Sequence, residues 1–442
     1  MTLLCVGLSH KQAPIAVREQ IAVPSEQIEA RLRQLKSLPG VREAMLVSTC
    51  NRIEIFAVAD SRAAGEDVLE TLGPVAAPHA VCRFEEEALR HLFRVAASLD
   101  SMVVGEAQIL GQVKEAAAIA QQAGALGPEL SKALARATAA AKRVRTETGI
   151  ARGAVSLSSV AVQLAHKLLG SLDGRSVLLV GAGEMAQLAA RELRTQGARE
   201  LLVANRSPQQ AEELAREVGG LPVSLAELPA LLERADVAIC STGATQAVVT
   251  REMMARALKA RRYRPIFLVD LTLPRNVEPS TNELENVYVY DLDDLERVAA
   301  QNRDLRTAQV GQAEEIVEQE LKAFLLASRE RASVPVLARL RAHAESVARA
   351  EVEKTLASLQ GLDEKQQKTV RAMASAIINK LLHAPTSRLR AEAGQGPLGE
   401  ATAALFGLEG EAQQPADAEA SSEEGPAETA AEGAVLPLLR NR

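Results

Sequence analysis

RSVLLVGAGEMAQLAARELRTQGARELLVANRS, residues 175–207, decides the fold. It opens on Val177-Leu178-Leu179-Val180, an apolar run too short for a helix and β-branched at both ends. A glycine-bearing turn follows, then Leu188, Ala189 and Leu193 at helical spacing, a break at Gly197, and a second apolar run, Leu201-Leu202-Val203-Ala204. The order is strand, turn, helix, strand. The turn Gly181-Ala182-Gly183-Glu184-Met185-Ala186 fits G-x-G-x-x-A. Gly181 permits the tight bend, Gly183 lets the backbone approach a pyrophosphate, and Ala186 lets the helix lie close to the sheet. The N–H groups and dipole at the helix start attract the anion. The second strand ends in Asn205-Arg206-Ser207, where an NAD site usually carries an acid for the ribose 2′-hydroxyl. Arg206 can instead pair with a 2′-phosphate, which points to NADP; the alternative is a solvated arginine at a strand end.

Two further stretches extend this unit. Asp236 to Gly243 and Ile266 to Asp270 read as parallel strands whose carboxyl ends should face a nicotinamide. Cys240 lies in the first and reads as core, and Asp270 opens a loop holding Pro274-Arg275-Asn276.

The chain has 442 residues, room for about three domains. It holds no apolar run of about 18 residues, so no membrane span is expected. MTLLCVGLSHKQAP, at the start, lacks a basic segment before its short apolar run, so no signal peptide is expected. Four cysteines (Cys5, Cys50, Cys82, Cys240) suit a reducing cytoplasm better than a disulfide framework. No tryptophan and 2% aromatic residues exclude stacking platforms for single-stranded nucleic acid. The net charge of −6 is misleading. From Glu400 onward stand nine acidic residues and two arginines, which leaves the rest at about +1. Glu411 to Gly433 is mostly Ala, Glu, Ser, Pro and Gly with almost no large apolar residue, cannot offset its ordering entropy, and is expected to be disordered.

Before the glycine turn, Leu3 to Leu8 reads as a strand, Ile28, Leu32 and Leu35 as one helix face, and 44–47 and 52–58 as two strands. Between those two strands stands Ser48-Thr49-Cys50-Asn51-Arg52. A neighbouring guanidinium favours a thiolate and can clamp a carboxylate, so Cys50 could be a nucleophile; a lone cysteine on a strand is otherwise a small buried hydrophobe. Residues 85–124 look helical, with His91 in an apolar context and Gln108 and Gln112 on one face. Pro128 to Arg152 is a basic helical stretch holding Lys132, Arg136, Lys142, Arg143, Arg145 and Arg152, fit either for RNA phosphates or for water. After the glycine-turn unit, one helical pattern of some forty residues, from Asp293 to about Ser333, spans roughly 60 Å. Its stripe Ile316, Val317, Leu321, Phe324, Leu325 is expected to bury against another chain. Pro335 is expected near the start of the next helix.

Taken together, these stretches resemble the glutamyl-tRNA reductases, which make glutamate 1-semialdehyde for tetrapyrrole synthesis. The resemblance is carried by GLSHKQAPIAVRE, STCNRIEIF, HLFRVAASLDSMVVGEAQILGQVK, AKRVRTETGIARGAVSLSSVAVQLA, VLLVGAGEMA with ANRS, LVDLTLPRNVEP and LLHAPTSRLR, in family order from the first residue to about Arg390. One departure is Ala107, where the family usually has proline. The resemblance implies an α/β multidomain chain: an N-terminal α+β catalytic domain (1–155), a Rossmann NADP-binding domain (156–292), a long linking helix (293–333), an α-helical dimerisation domain (334–400) and an acidic disordered tail (401–442). It implies Cys50 as the nucleophile on glutamyl-tRNA and His91 as a residue important for activity. Thr49, Asn51, Arg52, Ser101, Glu106, Ala107, Gln108 and Gln112 become substrate-binding positions, and Arg52 is expected to pair with the glutamate side-chain carboxylate. Gly181 to Ala186 become the NADPH turn. No metal is implied. The implied partners are glutamyl-tRNA, a second copy in a homodimer, and the glutamate-1-semialdehyde aminomutase that consumes the product.

Two rivals share parts of this pattern. A shikimate-dehydrogenase-like oxidoreductase would share the glycine turn and Asn205-Arg206-Ser207 with no role for Cys50. A non-catalytic NADP- or tRNA-binding dimer would use the cysteine as a structural residue only.

Overall fold

The computed structural model describes residues 1–106, 108–150, 156–198, 200–300, 307–359, 361–391 and 397–408. Ala107, Arg152, Val155 and the acidic segment from Glu409 onward lie outside the described residues. The chain forms two compact units, Met1–Leu326 and Ala327–Arg442.

The first unit begins with β1 (Thr2–Ser9), α1 (Ile15–Ile21), α2 (Ser25–Ser37), β2 (Val41–Ser48), β3 (Arg52–Ala59), α3 (Ala64–Glu70) and β4 (Val81–Phe84). The helices α4 (Glu86–Ala96), α5 (Gln108–Gln122) and α6 (Pro128–Glu147) follow. The strands make an antiparallel sheet in the order β2-β3-β1-β4. β3 is buried at every position, so polar Arg52 and Glu54 are carried inside with Ile53, Ile55 and Phe56. A buried ion must be paired, and the partners of these two build the site below. The turn between β2 and β3 is tight: the Thr49 N–H bonds the Arg52 carbonyl at 2.8 Å, which puts Cys50 at the hairpin tip.

The glycine-turn unit contains α7 (Leu157–Leu169), β5 (Ser176–Val180), α8 (Glu184–Thr195), β6 (Glu200–Asn205), α9 (Pro208–Val218), β7 (Leu221–Ser224) and α10 (Leu228–Arg234). It continues with β8 (Val237–Cys240), α11 (Arg251–Ala260), β9 (Ile266–Asp270) and β10 (Val287–Tyr290). The sheet is fully parallel, in the order β10-β9-β8-β5-β6-β7. Strand order reverses between β5 and β8, the crevice where such sheets take ligands. Val177 to Val180 are all inaccessible, each contributing roughly 1.5–3 kcal/mol of burial. Cys240 is core, as read. Local chemistry sets the helix ends: Ser207 caps α9 at Gln210 N–H, and Gly219 closes it in the left-handed region at φ 64°.

The helical chain beyond β10 differs from the sequence expectation. α12 (Leu292–Ala300) is followed, beyond residues outside the description, by α13 (Thr307–Ser358), which runs through position 335 rather than breaking there. The stripe expected to bury against another chain is used within this one. Ala313, Ile316, Val317 and Leu321 join the core of the N-terminal sheet, and Phe324 meets Phe93 with ring centroids 6.2 Å apart. Glu314 and Glu318 pair with Arg94 and Arg90 of α4. An apolar stripe settles on whichever apolar face is tethered nearest, and here that is the N-terminal core, with Phe93 of α4 against it.

In the second unit, α14 (Glu364–Ala391) begins at a reciprocal cap, Asp363 Oδ1 with Gln366 N–H at 2.7 Å and Gln366 Oε1 with Asp363 N–H at 3.0 Å. α15 (Pro397–Leu405) carries order past residue 400, where the tail was expected to start. Leu408 packs with Leu340 and Leu389, because the apolar residues there precede the acidic ones.

Candidate active site

The hairpin tip is held open by its own side chains. Thr49 Oγ1 accepts from the N–H groups of Asn51 (3.2 Å) and Arg52 (3.3 Å), and the Asn51 carbonyl accepts from His10 N–H at 2.8 Å. Cys50 is left half-buried at the edge of a narrow cavity of about 20 Å³, room for a single water. Its polar wall is Asn51, Arg52, Ser101, Glu106, Gln108 and Gln112; Ile109, Leu157 and Met185 close the apolar side. Four buried atoms on that wall have no hydrogen-bond partner among the described residues: Asn51 Oδ1, Arg52 Nε, Ser101 Oγ and Glu106 Oε1. Buried polar atoms left single cost about 1–3 kcal/mol each. Four around one cavity mark it as built for a polar ligand.

Behind the wall lies a chain of buried charges. Arg52 Nη1 donates to Glu54 Oε2 (3.2 Å) and Asp100 Oδ2 (3.3 Å), and Nη2 donates to the Asp100 carbonyl. Lys11 pairs with the same Asp100 carboxylate. His91 Nε2 lies 2.8 Å from Glu54 Oε1, and its ring stacks on Phe56. Cys5, Glu54 and His91 bring ligand-type atoms within 4.8 Å of one another, but Arg52 and the His91–Glu54 bond already occupy both oxygens of that carboxylate. Burial alone would raise the Glu54 carboxyl; the Arg52 charge and His91 outweigh it and hold it at about 2. Asp100 is likewise held at about 2 by Arg52 and Lys11 against its burial. Both carboxyls sit below their ordinary values of 4.5 and 3.8, so the unfolded chain binds more protons in acid. Their stabilisation is complete above about pH 4.5 and is lost as pH falls toward 2. Thermal unfolding should show no loss from neutrality to about pH 4.5, where the raised Glu106 if anything adds stability as it takes up its proton, and then a steep decline to about pH 2.5; a melting temperature unchanged from about pH 4.5 to 2.5 would refute the pairing.

Cys50 itself is pushed up to about 11, by burial first and then by the Glu106 carboxylate, against the pull of Arg18 and Arg52. Arg18, fully buried in α1, donates to the Cys50 carbonyl and pairs with Asp293 of α12. Glu106 is raised to about 7 by burial and by Glu184.

The cofactor end reaches this cavity. Gly181 has φ 104°, and a Cβ there would stand 2.0 Å from the Ser241 carbonyl oxygen, so only glycine fits. Gly183 and Glu184 are exposed at the start of α8, which no side chain caps, leaving N–H groups free for an anion. Ala182 is half-buried and Ala186 fully buried, as the close helix–sheet approach requires. Met185 is tied to α7 by Ser158 Oγ on its carbonyl at 3.0 Å, and it lines the same cavity as Cys50. At the far end Asn205 bonds Gln210 Oε1 at 2.8 Å, and Arg206 is exposed. The residues fit a phosphate-bearing dinucleotide: a glycine cradle, free N–H groups and a cation at the ribose end.

The structure thus gathers Cys50, Asn51, Arg52, Ser101, Glu106, Gln108 and Gln112 around one cavity, with Thr49 supporting the tip. Ala107 lies outside the described residues. His91 does not line the cavity; among the described residues it is linked to Arg52 through Glu54. The fork of Arg52 expected to grip a substrate carboxylate is already engaged by Glu54 and Asp100, and Nε is its one nitrogen without a partner among the described residues. Glu54, Asp100, Lys11 and Arg18 were not singled out in the sequence; the signal available was two charges in a strand otherwise apolar. Of the basic stretch, Arg136 and Arg143 pair with Glu320, Arg143 also with Glu147, and Lys132 with Glu129, while Lys142 and Arg145 stay exposed. The loop after Asp270 serves as a clasp: Arg275 grips Glu19 at 2.6 Å, and Asn276 binds Thr242 Oγ1 at 2.6 Å.

Comparison with known proteins agrees with this arrangement along nearly the whole chain. Residues 6–148 match the family described as glutamyl-tRNAGlu reductase, N-terminal domain, and 312–408 match its dimerisation domain. Residues 163–298 match shikimate / quinate 5-dehydrogenase, so the likeness that prompted the first rival reading covers the glycine-turn unit only. The glutamyl-tRNA reductase 2 of Anaeromyxobacter dehalogenans is 53% identical over 412 residues, 92% of either chain. The glutamyl-tRNA reductase of Myxococcus xanthus is 48% identical, covering 92% of this chain and 94% of that one. Among solved structures, the glutamyl-tRNA reductase of Methanopyrus kandleri matches with 34% identity and a TM-score of 0.48, covering 92% of this chain and 99% of its own. With whole-length relatives at this identity, and with Cys50 and its polar wall set against a dinucleotide turn, the chain belongs to the glutamyl-tRNA reductase family.

Proposed function

We propose that this protein reduces the glutamyl group of glutamyl-tRNA to glutamate 1-semialdehyde with NADPH, releasing tRNA through a thioester on Cys50. This is the first step from glutamate toward 5-aminolevulinate and tetrapyrroles. The observation that carries the reading is a cysteine at a hairpin tip, in one cavity with four unpartnered polar atoms and the Met185 end of the dinucleotide turn. An ester carbonyl accepts hydride poorly because its oxygen donates electrons to carbon; a thioester donates less, so acyl transfer to Cys50 both frees the tRNA and activates the carbonyl. Asn51, Ser101, Arg52 Nε, Gln108 and Gln112 orient the glutamyl group, and the His91–Glu54 pair holds Arg52 in place. Leu157 and Met185 keep water from the acyl group. NADPH bound at Gly181–Ala186 supplies the hydride. Incubation with glutamyl-tRNA and NADPH should yield the semialdehyde; release of free glutamate alone in the presence of NADPH would refute the reduction.

A nicotinamide cofactor suits the parallel sheet and its glycine turn, and Arg206 supports the phosphorylated form. Arg206→Ala should weaken NADPH binding by about 10–150-fold, the worth of a charge-assisted contact of roughly 1.5–3 kcal/mol, and leave NADH binding nearly unchanged. Equal losses would mean that Arg206 does not read the 2′-phosphate.

The N-terminal segment 1–155 would carry acyl transfer, 156–292 the cofactor, and 334–400 self-association into a homodimer. Met373, Ile377 and Leu381 support the last: spaced four apart on α14, they are 58, 49 and 70% exposed. No helix among the described residues is long and apolar enough to cross a membrane. The reading places the reaction in the cytoplasm, where charged tRNA is made. Its product, a reactive amino aldehyde, calls for close hand-over to glutamate-1-semialdehyde aminomutase.

A further inference from the structure

A thiol pushed up to about 11 is almost wholly protonated at neutral pH, so its attack on an ester requires a group to accept the proton as the bond forms. His91 is not placed to do so, since its Nε2 faces Glu54 behind the cavity wall. On the wall itself, Asn51, Ser101, Gln108 and Gln112 have no basic atom at neutral pH, and Arg52 is a cation. Glu106 is different. It is nine-tenths buried, shares the cavity with Cys50, and its Oε1 has no partner among the described residues. The Ser98 hydroxyl donates to the Glu106 main-chain carbonyl at 2.6 Å and fixes the backbone there, so the carboxyl is delivered from a braced position.

We infer that Glu106 is the base that takes the Cys50 thiol proton and returns it to the departing ribose oxygen of the tRNA, an inference that rests on the acyl-transfer reading above. The step balances without any further reactant. The S–H bond breaks as Glu106 takes the proton, and sulfur bonds to the ester carbon. The tetrahedral species then expels the ribose oxygen, which receives that proton, leaving thioester, free 3′-terminal hydroxyl and ionised Glu106. The charged and titratable groups facing Glu106 are Glu184 from the start of α8 and Cys50 and Arg52 from the β2–β3 turn. Burial and Glu184 place its titration at about 7, where a carboxylate and its acid are both populated.

The test uses the full chain, glutamyl-tRNA and no NADPH, with Cys50-bound glutamyl group read by mass spectrometry after rapid quenching between about pH 5.5 and 8.5. The wild-type rate should rise with pH through an inflection near neutrality. Glu106→Gln, which mimics the protonated acid in size, should slow acyl transfer by about 10²–10⁴-fold and lose the inflection, with glutamyl-tRNA affinity changed by less than about threefold. Glu106→Asp should be slower yet keep the inflection. A Glu106→Gln enzyme that retains the wild-type inflection, or whose whole loss lies in affinity, would overturn the inference. Wild type forming no adduct on Cys50 at any pH would overturn the acyl-transfer reading and the inference with it.

Discussion

Cys50→Ala should abolish both activities expected of one covalent intermediate: reduction with NADPH, and slow release of glutamate from glutamyl-tRNA without it. The second activity follows because a thioester held in the cavity without a hydride donor is open only to water. Cys50→Ser is the sharper variant. It should keep the hairpin tip and the shape of the cavity wall, since the Thr49 bonds that hold the tip do not involve the Cys50 side chain. Serine is a far weaker nucleophile near neutral pH, and any oxyester it formed would regain the poor hydride acceptance of the substrate. Both variants should therefore lose at least about 10³-fold in semialdehyde formation, a change of roughly 4 kcal/mol in barrier. The check is turnover with purified glutamyl-tRNA. Semialdehyde made by the alanine variant would remove Cys50 from the mechanism.

Gly183→Val separates the two halves of the reaction. A Cβ at Gly183 meets only the carbonyl and hydroxyl oxygens of Ser241, at 3.7 and 3.8 Å, which is ordinary contact. The backbone there is φ −70°, open to any residue, so the change is not opposed by the backbone or by its Cβ, and a circular-dichroism melt close to wild type should accompany it. The added atoms project where a pyrophosphate must approach the α8 N–H groups. NADPH affinity and reduction should fall on the order of 10²-fold or more, as expected when a reacting group is displaced by about 1 Å, while acyl transfer to Cys50 continues. Binding followed by nicotinamide fluorescence, beside glutamate release without cofactor, reads the two separately. Undiminished NADPH binding would move the cofactor site elsewhere.

The parts legible in the sequence were those whose chemistry is local. The Gly181 turn, its strands and Ala186 lie within some thirty consecutive residues, and steric limits on φ and on helix approach dictate residue type there. Cys50 was legible as a candidate because Thr49, Asn51 and Arg52 stand beside it in the chain. The long-range pairs were not. Glu54 reads as the polar face of an alternating strand until β3 is seen buried on both sides. Only then does the pairing of His91 and Glu54, 37 residues apart, explain how a histidine outside the cavity bears on Arg52. The α13 stripe failed for the same reason. Periodicity shows that a face is apolar without naming what covers it, and the N-terminal core of the same chain took Ile316, Val317 and Leu321.

The most direct test of the central claim is the site of the covalent bond. Wild-type protein mixed with glutamyl-tRNA in the absence of NADPH, quenched in acid and digested, should yield one peptide carrying an added glutamyl group, the one that contains Cys50. An adduct on Cys5, Cys82 or Cys240 in its place, or none on any cysteine while semialdehyde still forms once NADPH is supplied, would contradict the account.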